Sequence, residues 1–175
     1  MSIITTERLL LRPLTPPDVT EKYVGWLNDS EVNQFLETRH HPQTKQSCLA
    51  FVESVNQDPL SHLFGVFLKS NNEHIGNAKI GFINVHYQTA QVSLFIGEKK
   101  YWGQGYSTEL VKALSDYGFH QLKLQKLEAG CYEHNLGSLN VFLRSGYSVE
   151  GFLRQHVIHE GKRIGCFLLG KLANE

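Results

Sequence analysis

The apolar positions of this chain follow two periods, and each change of period marks an element. Residues 7–13 run Glu-Arg-Leu-Leu-Leu-Arg-Pro and read as a first strand. Thr15, Pro16, Pro17 and Asp18 then make a turn and a helix start, because proline suits a first helical turn and aspartate its positive end. That helix carries Tyr23, Val24, Trp26 and Leu27 to about residue 28, a second short helix covers 29–37, and 38–42 is a polar break. Over 43–57, Cys48, Leu49, Phe51, Val52 and Val55 form an apolar stripe at helical spacing. The period then shortens. Strands are predicted at 62–69 and 74–85 around a polar turn at 70–73, and a third follows a turn at 87–90 and ends at Gly97. Leu110, Val111, Leu114 and Tyr117 share one helical face. Residues 122–127 bring the chain back to a strand at 128–133, and 134–138 is a polar loop. A helix at 139–145 is closed by Gly146, and two last strands, 147–157 and 163–172, flank the turn at Glu160 and Gly161. The pattern predicts a single α+β domain over residues 1–175, a mixed central sheet flanked by helices.

Composition narrows the partners. Hydrophobic residues are 41% and charged residues 19%, as in an ordinary globular domain, and the formal net charge is zero. Such a chain offers no basic footprint for nucleic acid or an anionic membrane. Cys48, Cys131 and Cys166 lie too far apart for a zinc cluster or a disulfide framework, so no metal is expected. The N-terminus does not read as a signal peptide and no apolar run is long enough for a bilayer, which predicts a cytoplasmic protein, monomer or homodimer.

The chemistry concentrates between the third of those strands and the helix after it. Strand, glycine turn (Gly103, Gly105) and helix N-terminus together make an anion site, where glycines let the backbone approach and free N–H groups point at the ligand. Lys99 and Lys100 add positive charge nearby. A dinucleotide fingerprint would need a third glycine where Thr108 stands, and a nucleotide-hydrolase phosphate loop would need Gly-Lys-Ser/Thr; neither is present.

Trp102-Gly-Gln-Gly-Tyr-Ser-Thr-Glu109 resembles the coenzyme A pyrophosphate loop of the GNAT acyltransferase superfamily. It is most similar to the branch with the ribosomal-protein alanine N-acetyltransferases. The loop pattern is Arg/Gln-x-x-Gly-x-Gly/Ala; Trp102 takes its first position, Gly105 its fourth and Ser107 its sixth. Asn135-Leu-Gly-Ser138, followed by a helix ending in Gly146-Tyr147, resembles a second GNAT segment, and the order of elements matches from Thr6 to Leu172. The resemblance implies transfer of an acetyl group from acetyl-CoA to a primary amine. It implies cofactor contacts at Trp102, Gly103, Gln104, Gly105, Tyr106, Ser107 and Thr108, at the backbones of Phe95, Ile96 and Gly97, and at Asn135 and Ser138. An alternative for Asn135 and Ser138 is capping of the following helix.

Many GNAT enzymes protonate the departing thiolate with a Tyr four residues before the Gly of the Gly-Phe/Tyr pair. Phe142 holds that position here, so Ser138, Tyr132 or solvent must supply the proton. The same departure supports a different reading, a cofactor-binding regulator without transfer activity. Glu133 and Glu128 are candidate bases; alternation puts them on opposite faces, so at most one faces the cleft. His74, His86 and His134 are further candidates.

Freeing a lysine-like amine at pH 7 costs roughly 4.6 kcal/mol, and an α-amine only about 1–1.4 kcal/mol. A site without an obvious strong base suits the weaker amine, in a peptide N-terminus or an amino sugar. Trp26 to Arg39, together with Ile75 to Gly81, resembles GNAT members that acetylate nucleotide-linked 4-amino sugars. That resemblance implies acceptor contacts at Trp26, Arg39 and Asn77, with Trp26 stacking a sugar or base and Arg39 holding a phosphate. A nucleotide-linked amino sugar is therefore the expected acceptor and a protein N-terminus the alternative.

Overall fold

The computed structural model describes residues 2–175. Eight strands form one sheet: β1 (Ile4–Thr5), β2 (Leu9–Pro13), β3 (His62–Leu68), β4 (His74–Asn84), β5 (Thr89–Ile96), β6 (Lys126–Tyr132), β7 (Ser148–His159) and β8 (Lys162–Leu172). Their order is β1-β2-β3-β4-β5-β6-β8-β7. Every neighbouring pair is antiparallel except β5 and β6. A parallel pair needs a crossover, and α4 (Tyr106–Asp116) supplies it. Its buried face of Leu110, Val111 and Leu114 packs with Ile80, Leu127 and Phe142 in the larger core. α1 (Glu21–Asn28) and α3 (Lys45–Gln57) form a second core with Leu14, Leu63 and Phe95. α5 (Leu136–Arg144) precedes the final hairpin, whose turn at Glu160 and Gly161 has positive φ at both residues, the geometry that matches strand twist.

Several boundaries differ from the sequence reading, β6 starting at Lys126 and β7 ending at His159 among them. β1 is two residues long, too short for an alternation to show. The helix expected at 29–37 is only α2 (Ser30–Asn33); a separate 3-10 turn covers Glu37–His40. α5 starts at Leu136 because Asn135 caps it, its Oδ1 accepting the Ser138 N–H at 3.1 Å.

Candidate active site

The site begins where the sheet opens. β5 and β6 pair only at Thr89–Lys126, Ala90–Leu127 and Gln91–Glu128. Beyond Gln91, β5 stays with β4 as far as Ile96, and beyond Glu128, β6 stays with β8 as far as Tyr132. The inner edges of both strands are thereby left facing a wedge. The Gly97 and Glu98 N–H groups both donate to the Ile75 carbonyl, at 2.8 and 3.2 Å, a local bulge that ends the ladder. Antiparallel alternation from Gly97 directs Phe95 toward β4 and turns the Leu94 and Ile96 backbones to the wedge. The Ile96 carbonyl accepts the Trp102 indole N–H at 2.7 Å across the wedge mouth. Of the three backbones expected to contact the cofactor, that of Ile96 faces the gap together with that of Leu94, the Gly97 N–H is taken up by Ile75, and Phe95 pairs with Asn77 on β4.

The glycine turn stands at that mouth. Gly103 and Gly105 have φ of 73° and 83°, a conformation that costs any residue with a Cβ. Gly105 is the N-cap of α4 and brings no side chain to the cap. Among the described residues, the N–H groups of Gly103, Gln104, Gly105, Tyr106, Ser107 and Thr108 have no protein acceptor; the first such bond of the helix runs from Glu109 to the Gly105 carbonyl. This run of free donors at a helix N-terminus fits a diphosphate. Arg8 holds the turn in place. Its guanidinium donates to Glu109 at 2.7 Å and to the Gln104 carbonyl at 3.0 Å, and it lies 4.1 Å over the Tyr106 ring. Burial raises the Glu109 pKa, but bonds from Thr6 and Arg8 outweigh it and keep the carboxyl below its usual range. Lys99 and Lys100, expected to add positive charge near the turn, are both paired with carboxylates. Lys99 pairs with Asp29 and Glu31, Lys100 with Glu73 at 2.9 Å. Glu73 also accepts the Tyr101 hydroxyl, and these bonds hold its carboxyl down at about 2. The lysines therefore tie the loop to α2 and to the β3–β4 turn.

On the other side of β5 lies a cavity of about 360 Å³, lined by Tyr23, Leu27, Leu36, Phe51 and Phe95 with Glu37, Thr38, Asn77 and Ser93 among its polar residues. Asn77 is 3% exposed. His74 Nε2 lies 3.0 Å from the Gly76 carbonyl and 2.8 Å from Asn77 Oδ1. Both partners are acceptors, so Nε2 carries the hydrogen; burial lowers the His74 pKa and favours this neutral form. The arrangement fixes the Asn77 amide, with Oδ1 to His74. At the cavity edge the Tyr132 hydroxyl donates to Glu37 and accepts from Arg39 at 3.0 Å.

The remaining expected residues sort as follows. Asn135 caps α5, as its alternative reading allowed, and Ser138 supplies the capped N–H. Glu133 accepts the Gly165 N–H at 2.7 Å, which commits this carboxylate to β8. Trp26 is 6% exposed; its indole donates to Glu98, and a Cβ on Gly97 would fall 2.1 Å from its ring. Trp26 is thus packed on backbone with no free face for stacking. Arg39 directs three of its donors to protein, at the Leu36 and Ile158 carbonyls and the Tyr132 hydroxyl. Phe142 is buried against Tyr147. Sequence reasoning missed Glu37, Thr38 and Leu94. Glu37 meets Tyr132 across 95 positions of sequence, a contact that no local pattern announces.

A family model described as the acetyltransferase (GNAT) domain matches residues 8–148. The chain belongs to the GNAT acetyltransferase family. It is accordingly an acetyl-CoA-dependent N-acetyltransferase, and the free donors of residues 103–108 suit that donor. Similar proteins include the uncharacterized N-acetyltransferase p20 of Bacillus licheniformis, 25% identical over 177 residues, covering 100% of this chain and 98% of p20. A GNAT-family acetyltransferase structure from Bacillus anthracis aligns with a TM-score of 0.86 at 24% identity, over 99% of this chain and 100% of that one. A spermidine N-acetyltransferase from Vibrio cholerae, solved with CoA and spermine, aligns at 0.88 and 18% identity, over 97% of this chain and 98% of that one. At such identities the structural likeness carries the fold and leaves the acceptor open. No helix among the described residues is long and apolar enough to cross a membrane.

Proposed function

We propose that this GNAT enzyme acetylates a weakly basic primary amine that enters from the α1–α3 side, with acetyl-CoA held in the β5–β6 wedge. The observation that carries this reading is the opening of the sheet after Gln91 and Glu128, with free N–H groups at its mouth and an apolar cavity on the opposite side of β5. Acetyl-CoA supplies an acyl thioester, whose carbonyl oxygen gains charge as the amine attacks and whose sulfur leaves as a thiolate.

Each protein group then has a task. Glu37 holds the incoming neutral amine at the cavity edge and takes the proton that its nitrogen sheds on attack. The cleft-facing N–H groups of Leu94 and Ile96 stabilise the oxygen that gains charge. Tyr132 gives its hydroxyl proton to the leaving sulfur and regains one from Glu37, to which it is hydrogen-bonded. The proton released by the amine thus equals the proton taken by the thiolate. Tyr132 in this scheme does the work for which Phe142 has no proton, and Ser138 and Glu133 fall away from it. Ser138 and Asn135, at the start of α5, stay in the proposal as contacts for the donor.

Of the three residues expected to recognise a nucleotide-linked amino sugar, Trp26 is buried and Arg39 directs three donors to protein, which weakens that acceptor. The neutral α-amine of a small molecule or a peptide N-terminus keeps its support. Coenzyme A release should be measured at pH 7 with α-amino amides, an amino sugar and spermidine. Turnover is expected with amines of pKa near 8 and should be weakest with spermidine. Binding of acetyl-CoA without turnover on any amine would leave a regulator instead.

A further inference from the structure

Two side-chain atoms among the described residues are buried without any hydrogen-bond partner, Asn77 Nδ2 and Thr38 Oγ1, and both residues line the same cavity. Buried polar groups are nearly always satisfied, so two orphans in one place ask for a ligand that completes them. Asn77 cannot escape by turning its amide over. The Gly76 carbonyl fixes the hydrogen on His74 Nε2, and that hydrogen requires Oδ1 on the His74 side. Nδ2 is left as a donor in a setting that is otherwise mostly apolar. It lies near the Tyr23 phenol, whose pKa burial raises and the Asn77 amide lowers, but outside full hydrogen-bond geometry.

We infer that the cavity selects a primary amine carrying one neutral carbonyl, a carboxamide, whose oxygen accepts from Asn77 Nδ2 while Thr38 Oγ1 serves the same amide group. This rests on the transfer reading above and adds the acceptor's second functional group. An amine without that oxygen would enter and leave Nδ2 unpaired, which is the situation in which a binding site discriminates most strongly. A polyamine fits worst. The lining offers it one carboxylate, Glu37, beside the cation of Lys79, so its further charges would be buried without partners. The carboxamide has two sources, the first peptide unit of a chain terminus or the acetamido group of an amino sugar.

The test compares leucinamide with 3-methylbutylamine, which has the same branched body without the carboxamide. kcat/KM is measured for both with the intact protein and with Asn77→Leu and Thr38→Val. Taking the change of the ratio on mutation cancels the difference in amine basicity. The ratio should fall about tenfold or more in Asn77→Leu and severalfold in Thr38→Val, the size of a lost hydrogen bond to a buried group. Asn77→Leu should also keep or raise Tm, because it removes an unpaired amide and leaves His74 bonded to Gly76. Proportionate losses on both amines, or an unchanged ratio in both variants, would overturn the inference and leave the transfer reading standing. A silent wild type with both amines would overturn the two together. A leucine-first tripeptide and an amino sugar bearing an acetamido group, run in parallel, decide the source by which is faster. Preference for spermidine over leucinamide would count against the carboxamide.

Discussion

Tyr132→Phe lowers kcat by about 10²-fold or more, the usual scale of a lost general acid, and leaves coenzyme A affinity within about twofold. The substitution keeps the ring, which packs edge-on to Phe35 in a small cluster with Ile164 and Cys166. What it removes is one oxygen, and with it the bonds to Glu37 and Arg39. Arg39 keeps its bonds to the Leu36 and Ile158 carbonyls, so Tm should move little. Steady-state kinetics with acetyl-CoA and the best amine, beside a Ser138→Ala control, measures the effect. A loss below about tenfold in Tyr132→Phe and a larger one in Ser138→Ala would hand the proton to Ser138. Equal and small losses in both would hand it to solvent.

Gly76→Ala should have the largest effect on stability. An added Cβ would lie 2.2 Å from the Phe95 carbonyl oxygen and 2.9 Å from Ile96 Cα. Both obstacles are backbone, so no side chain can swing aside, and β4 and β5 must separate where the ladder ends in its bulge. Forcing a group into packed structure costs about 1–3 kcal/mol and occasionally more. For a domain of this size that corresponds to a fall in Tm of roughly 3–10 °C. Activity below the transition should fall further than stability, because the shifted backbone includes Ile96, which faces the wedge. Calorimetric Tm and kcat/KM at 20 °C below it separate the two effects. Full activity in a protein of unchanged Tm would mean that the close approach of the two strands does not position the site.

Much of this was legible in the sequence, and for identifiable reasons. Apolar runs bounded by polar turns located β3 and β4, which are buried on both faces along most of their length, and the stripe of Leu110, Val111 and Leu114 located α4, which buries one face. The glycine turn was legible because an anion site needs backbone conformations that Gly103 and Gly105 adopt readily. The acceptor side was far less legible. Trp26 reads equally well as a stacking platform or as core, and only its seat on Gly97 decides between them. Arg39 reads as a free cation until three acceptors close around it. Glu37 and Thr38 sit in a short 3-10 turn that has no apolar period, and they gain meaning from residues on β4 and β6 that are distant in sequence. Lys99 and Lys100 were placed correctly along the chain, yet their partners Asp29, Glu31 and Glu73 come from other elements. Local pattern thus reveals the scaffold and the backbone grip, while side-chain commitments depend on tertiary contacts.

The most direct measurement is a crystal structure of the protein with coenzyme A. The diphosphate should accept from the N–H groups of residues 103–108, and the pantetheine arm should lie between β5 beyond Gln91 and β6 beyond Glu128, with its sulfur toward Leu94, Ile96 and Tyr132. Coenzyme A bound anywhere else, or a wedge that stays empty at saturating concentration, would contradict the account.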